Sequence, residues 1–159
     1  MKKLSIYLDT SVINFLFAFD APDYMKATQE FFDGYLDEFR VYISDITLLE
    51  IKKTSDRNKH DLLMTAIEKY GLEVYKELNK DIEAMAREYI KKGVIPAKKF
   101  EDALHIAFAT YYEFDILLSW NFRHLANIKK QKEINLINSK NGYLKPLTLI
   151  NPLEVIYEK

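Results

Sequence analysis

Three acids and one amide, Asp9, Glu50, Asp102 and Asn121, are the residues of this chain whose types and settings suggest chemistry. Asp9 closes an apolar run, "IYLDTSVINF" (6–15), and is followed at once by Thr10 and Ser11. A carboxylate there is costly unless a helix end, a cation or a metal occupies it. Two carboxylates about 5 Å apart repel by roughly 3 kcal/mol at an effective dielectric near 20. A third would force one of them to hold a proton unless a cation neutralised the group. A hard divalent ion with oxygen ligands does this, Mg²⁺ being the common choice. Held in that way it serves phosphodiester hydrolysis by activating water and steadying the leaving oxygen.

The four residues meet only if the intervening elements carry them to one place. Leu4–Leu8 reads as a strand and Thr10–Phe19 returns to helical spacing. Pro22 suits the first turn of a helix running to about Phe39, with Phe31, Phe32, Tyr35 and Leu36 on its buried side. "RVYIS" (40–44) is a second strand, and Asp45 is placed to cap "ITLLEIKK". A helix over Arg57–Tyr70 stops at Gly71, and "LEVY" (72–75) is a weak strand or extended link. Asn79 caps a helix ending at Gly93, and "KKFEDALHIAFATYY" (98–112) is strongly helical. "DILLS" (115–119) is a strand, "NFRHLANIKK" a short helix or loop, and "INLIN" (134–138) a further strand. After the Asn141-Gly142 turn, "LTLI" leads into a terminal "PLEVIY" helix.

Alternating strands and helices predict parallel pairing through right-handed crossovers, hence one domain, 1–159, built as an α/β/α three-layer sandwich with a mainly parallel sheet. Ligands of such sheets bind outside the carboxyl ends of the strands. Asp9 directly follows the first strand, Glu50 lies in the helix after the second, Asp102 opens the helix before "DILLS", and Asn121 follows that strand. All four reach the same rim. Asp115 starts its strand, and four residues at roughly 3.3 Å each carry it about 13 Å away.

Composition narrows the field. The 159 residues are 48% apolar and 30% charged, with no Cys, so there is no disulfide, thiolate metal site or Cys nucleophile. Lys2 and Lys3 before an apolar run imitate a signal peptide, but Asp9 and Asn14 interrupt it and no cleavage site follows. A cytoplasmic protein without a transmembrane helix is expected. The net charge of −1 gives no global sign of nucleic-acid binding. Contact with nucleic acid would fall to local patches, Lys52/Lys53/Arg57, Lys98/Lys99 or Arg123/Lys129/Lys130/Lys132, each of which also reads as a solvated helix face.

Four segments in order resemble the motifs of PIN-domain proteins, of the kind that serve as the toxin in bacterial and archaeal toxin–antitoxin pairs. "YLDTSVI" is similar to the family's first motif, "SDITLLEI" to its second, "FEDALHIAFA" to its third and "DILLSWNFRHL" to its fourth. "PLTLINPLEVI" is like the closing strand and "TP.E" helix, with Asn151 for the threonine. The resemblance spans essentially the whole chain. It implies a Mg²⁺- or Mn²⁺-dependent ribonuclease, with Asp9, Glu50 and Asp102 binding metal and Asn121 standing where many members carry a further Asp. Thr10 and Ser119 would support the ligands through their hydroxyls. A small antitoxin protein and a homodimeric partner are implied as well.

Each residue also has a structural reading. Asp9 and Asn121 suit helix caps, Glu50 a solvated helix face, and Asp102 the positive end of its helix. His105, three residues after Asp102, would touch substrate or a ligand, or else be a satisfied buried histidine. Trp120 would stack on a base or pack, and Arg123 is a further candidate contact to substrate. His60 and His124 have no partner at metal spacing. A catalytically inactive PIN-like RNA-binding or scaffolding module is the alternative function. A phosphotransfer domain is disfavoured, because haloacid-dehalogenase-type phosphatases need an Asp where Ser11 stands, and the paired acids and later Lys of receiver domains are not evident.

Overall fold

Why the strands of this chain are apolar on both sides is plain from where they lie. The computed structural model describes residues 2–75, 77–121 and 124–157, with 124–127 by backbone alone. Five strands, β1 (Ser5–Leu8), β2 (Arg40–Ile43), β3 (Glu73–Val74), β4 (Ile116–Leu118) and β5 (Thr148–Ile150), form one sheet in the order β3-β2-β1-β4-β5. Every pairing is parallel. Alternate residues of β1 point to opposite faces. Ile6 and Leu8 enter one core and Tyr7 the other.

Helices cover both faces. On the Tyr7 side, with Leu117 and Leu149, lie α5 (Lys80–Lys91), α6 (Phe100–Tyr111) and α7 (His124–Lys140). On the Ile6 side lie α1 (Thr10–Asn14), α2 (Pro22–Gly34), α4 (Arg57–Lys69) and α8 (Pro152–Tyr157). The remaining helix, α3 (Asp45–Lys52), straddles the layers, with Ile46 in the first core and Ile51 in the second. The three-layer sandwich is thus as expected, and its sheet is wholly parallel. Among the described residues no helix is long and apolar enough to cross a membrane.

Three local expectations are corrected. "INLIN" is not a strand but part of α7. Its buried residues Ile134 and Ile137 are three apart, as on one helix face, and Leu136 between them is 58% exposed. The helix α2 stops at Gly34 rather than Phe39, and Leu36–Glu38 form a separate 3₁₀ turn. The cap of α3 is Ser44, whose hydroxyl accepts from the Ile46 amide at 3.1 Å, and Asp45 becomes the first helical residue. Asn151, where the family pattern has threonine, still caps α8. Its side chain accepts from Glu154 N at 3.1 Å and its own amide donates to Glu154 Oε1 at 3.3 Å, a reciprocal capping box.

At the amino edge of the sheet, away from the acids, Asp115 accepts from the Ser5 amide at 2.8 Å and pairs with Lys145 at 3.0 Å. Burial pushes its carboxyl up, but the Ser5 and Lys145 contacts outweigh this and hold it below the usual range. Its work is structural.

Between α5, α6 and α7 a buried polar group interrupts the apolar layer: Asn138 accepts from the Tyr89 hydroxyl at 2.5 Å and donates to Thr110 at 3.0 Å. Replacing Asn138 by Leu removes that partner from both hydroxyls. The variant should lose roughly 1–3 kcal/mol, read as a lower urea midpoint at unchanged slope; an unchanged midpoint would mean the group contributes nothing net.

Candidate active site

The chain leaves β1 to build β2 and β3 on one side and returns through β4 and β5 on the other, so the β1/β4 boundary is the topological switch point. Leu8 pairs with Leu118, and the Asp9 amide donates to the Leu118 carbonyl at 3.2 Å. Asp9 and Ser119 therefore leave the sheet side by side.

Asp9 is 2% exposed. It caps α1: its Oδ1 accepts from the Ser11 amide at 3.0 Å and the Ser11 hydroxyl at 2.5 Å, while Oδ2 accepts from the Ser119 hydroxyl. Both hydroxyls are themselves anchored, Ser11 Oγ by the Trp120 amide and Ser119 Oγ by the Asn121 amide, each at 2.9 Å. Cap and candidate ligand are therefore one residue. Burial pushes its carboxyl above the usual range, against the pull of the His105 charge and the two serine hydrogen bonds.

Glu50 is half-buried on α3, and its Oε1 accepts from Thr10 Oγ1 at 2.5 Å and His105 Nε2 at 2.7 Å. Burial alone would raise its pKa, but the His105 bond and charge, with Glu101 and Thr10, pull it to about 2. His105 is 2% exposed and gives its other nitrogen, Nδ1, to the Tyr7 hydroxyl at 2.6 Å. Burial pulls the imidazolium down, but the Glu50 bond and the charges of Asp9, Glu50 and Asp102 outweigh it and leave His105 above its usual value.

Asp102 lies in the first turn of α6, and its Oδ1 accepts from the Asn121 side-chain amide at 3.0 Å. Burial raises its carboxyl, against the charges of His105 and Lys99 and the Asn121 bond. Beside it Glu101, 3.7 Å from Lys53, is raised first by a hydrogen bond to Glu50. Glu50, Asp102 and Glu101 line one open cleft of about 490 Å³ together with Lys98, Lys99 and Phe100.

Trp120 is buried, and its Nε1 donates to Thr28 at 2.8 Å. Arg123 lies outside the described residues. Sequence spacing had not singled out Ser11, Tyr7, Ser44 or Glu101. The Asp-Thr-Ser triplet was a signal for Ser11 and the acid beside Asp102 for Glu101, whereas Tyr7 and Ser44 are joined to the site only by tertiary contacts.

Among the described residues no three Asp, Glu or His side chains converge closely enough to hold an ion, so the expected three-acid cage is not closed. The donor chemistry nevertheless suits a hard divalent cation. Asp9 and Asp102 are oxygen donors held protonation-prone first by burial, to which the charge of Asp102 adds at Asp9 and that of Glu50 at Asp102. Of roughly four acceptor positions on a carboxylate, Asp9 commits three.

The PIN domain family model matches residues 6–131, and the chain belongs to that family. Two solved structures share its fold. One is VapBC2 from Rickettsia felis bound to a DNA fragment from their promoter, at 17% identity and TM-score 0.55, covering 93% of this chain and 98% of that one. The other is DNA-bound VapBC from Salmonella typhimurium, at 16% identity and TM-score 0.55, covering 94% and 98%. No curated protein sequence matches the chain.

The Glu50–His105 pair makes stability depend on pH from both sides. Glu50 is lowered by folding, so its contribution is full above the usual 4.5 and is lost as pH falls toward about 2. His105 is raised, so its contribution is full below 6.5 and fades as pH climbs through its folded value. The stability difference between wild type and Glu50→Gln, from urea unfolding, should peak between pH 4.5 and 6.5. A difference that stays flat from pH 3 to 9 (a span of about six units) would show that the pair does not ionise in this way.

Proposed function

We propose that the chain is a divalent-metal-dependent endoribonuclease, the toxin of a toxin–antitoxin pair. The observation that carries this reading is the position of Asp9, Glu50 and Asp102, borne by three different elements at the rim where β1 and β4 end, in a chain of the PIN-domain family. Asp9 and Asp102 would hold Mg²⁺ or Mn²⁺, with Glu50 completing the acidic group. When bound, the ion supplies positive charge and activates water for in-line attack on a phosphodiester, which leaves a 5′-phosphate and a 3′-hydroxyl.

The protein's own residues do the rest. Ser11 and Ser119 aim the Asp9 carboxylate, Thr10 and His105 aim that of Glu50, and the Asn121 amide orients Asp102. An amide at 121 brings no charge of its own, which limits the negative charge available for a second ion. Lys98 and Lys99, exposed in the same cleft, offer cationic contacts to the RNA backbone. The VapBC structures support a small antitoxin protein as partner. The toxin would act in the cytoplasm as a homodimer.

A pool of structured RNA incubated with Mg²⁺, Mn²⁺ or EDTA tests the chemistry. Wild type should cut only with metal, and Asp9→Asn and Asp102→Asn should each lose roughly 100- to 1,000-fold in rate while remaining folded. Equal cutting by all three proteins would overturn the assignment. No cutting by any of them, without Mn²⁺ binding to wild type, would favour the inactive module. In the active protein, Lys98→Glu with Lys99→Glu should raise KM with kcat retained and flatten the salt dependence of binding by about 0.7 per lost phosphate contact. An unchanged KM would remove these lysines from the substrate path.

A further inference from the structure

His105 was open to two readings, a contact to substrate or a residue satisfied in the core, and its surroundings fit the second. At 2% exposure it is closed off from any ligand in the cleft. Yet its two nitrogens are spent on functional neighbours, Nε2 on Glu50 and Nδ1 on Tyr7. The chain of contacts continues: Tyr7 OH meets Ser44 Oγ at 2.5 Å, and Ser44 caps α3, the helix that carries Glu50. At the other end Glu50 Oε1 accepts from Thr10, next to Asp9.

The membership of this chain is its meaning. Tyr7 belongs to β1, the strand that delivers Asp9. Ser44 and Glu50 belong to the start and body of α3. His105 belongs to α6, one turn beyond Asp102. Each element that carries one of the three acids contributes a link. Because an ionised Glu50 only accepts, Nε2 must carry the proton toward it, and this fixes the ring's orientation. Stability alone does not call for such an arrangement, since a buried ionic pair is often no better than apolar residues of the same volume.

We propose that His105 is a positioning residue, which locks the Glu50 carboxylate from behind and, through Tyr7 and Ser44, sets the register of the three acid-bearing elements. The purpose of the lock rests on the nuclease reading of the site. The lock itself is a feature of the protein without metal and can be read there.

The variants are His105→Phe, His105→Gln and Tyr7→Phe, with Asp9→Asn as the control for the nuclease reading. Titration calorimetry with Mn²⁺ and RNA cleavage are measured on each. His105→Phe should weaken Mn²⁺ binding and lower kcat by roughly 10- to 100-fold, the usual penalty for losing a ligand's hydrogen-bond partner, with KM for RNA unchanged. His105→Gln, whose amide donates from the place of Nε2–H, should recover most of both. A folded His105→Phe that binds and cuts like wild type, or a Gln variant no better than Phe, overturns the proposal while leaving the nuclease standing. If His105→Phe does not fold, Tyr7→Phe and His105→Gln carry the comparison, Tyr7→Phe with the smaller loss; wild-type behaviour in Tyr7→Phe would remove Tyr7 from the relay.

If wild type and Asp9→Asn are equally inert, the nuclease reading fails separately, and ¹⁵N–¹H spectra of the imidazole decide the lock. A slowly exchanging Nε2 proton in wild type that disappears in Glu50→Ala supports it. A ring signal indifferent to Glu50 overturns it.

Discussion

The structure is organised around a negative charge placed at the end of a strand with no solvent to receive it. Asp9 follows the central strand of a sheet covered on both faces, so its carboxylate depends on protein donors. Those donors come from α1 and from the segment after β4: the Ser11 hydroxyl is pinned across the seam by the Trp120 amide, and the Ser119 hydroxyl by the Asn121 amide of its own segment. The switch point is therefore more than a topological seam. It is where the sheet's two halves share one carboxylate.

The second carboxylate is handled by a different solution. Asp9 is surrounded by neutral donors and stays proton-prone, whereas Glu50 faces an imidazole and is firmly ionised. Two acids on one rim thus sit on opposite sides of their ordinary behaviour. Environments that push like groups apart are the usual means by which a fold assigns them separate tasks. Glu101 and Asp102, on the first turn of α6, are raised as Asp9 is and face the cleft, where the helix end favours negative charge.

Much of this was legible in the sequence, and the limits of legibility have a physical pattern. Strand ends and helix starts are local signals, so Asp9 after β1, Asp102 in the first turn of α6 and the cap at Asn79 followed from neighbours a few residues away. The choice between Ser44 and Asp45 as cap turned on a single residue of register, and both types cap well. "INLIN" has apolar residues that satisfy a strand alternation and a helical spacing alike, and contacts with α5 and with Leu147, just ahead of β5, decided between them. The partners of His105 lie 55 and 98 residues away in sequence, and spacing showed only its neighbour Asp102.

The bond between Ser119 and Asp9 closes a loop of 110 residues. Contacts of such long range form late, because the chain entropy of closing them must be met before they stabilise anything. At about 5–20 residues synthesised per second, the first strand leaves the ribosome several seconds before its partner. During that interval Asp9 has neither its sheet neighbour nor its serine clasp. A nascent chain is consequently without this rim until β4 is made, so products of translation that stop short of it lack the clasp around Asp9.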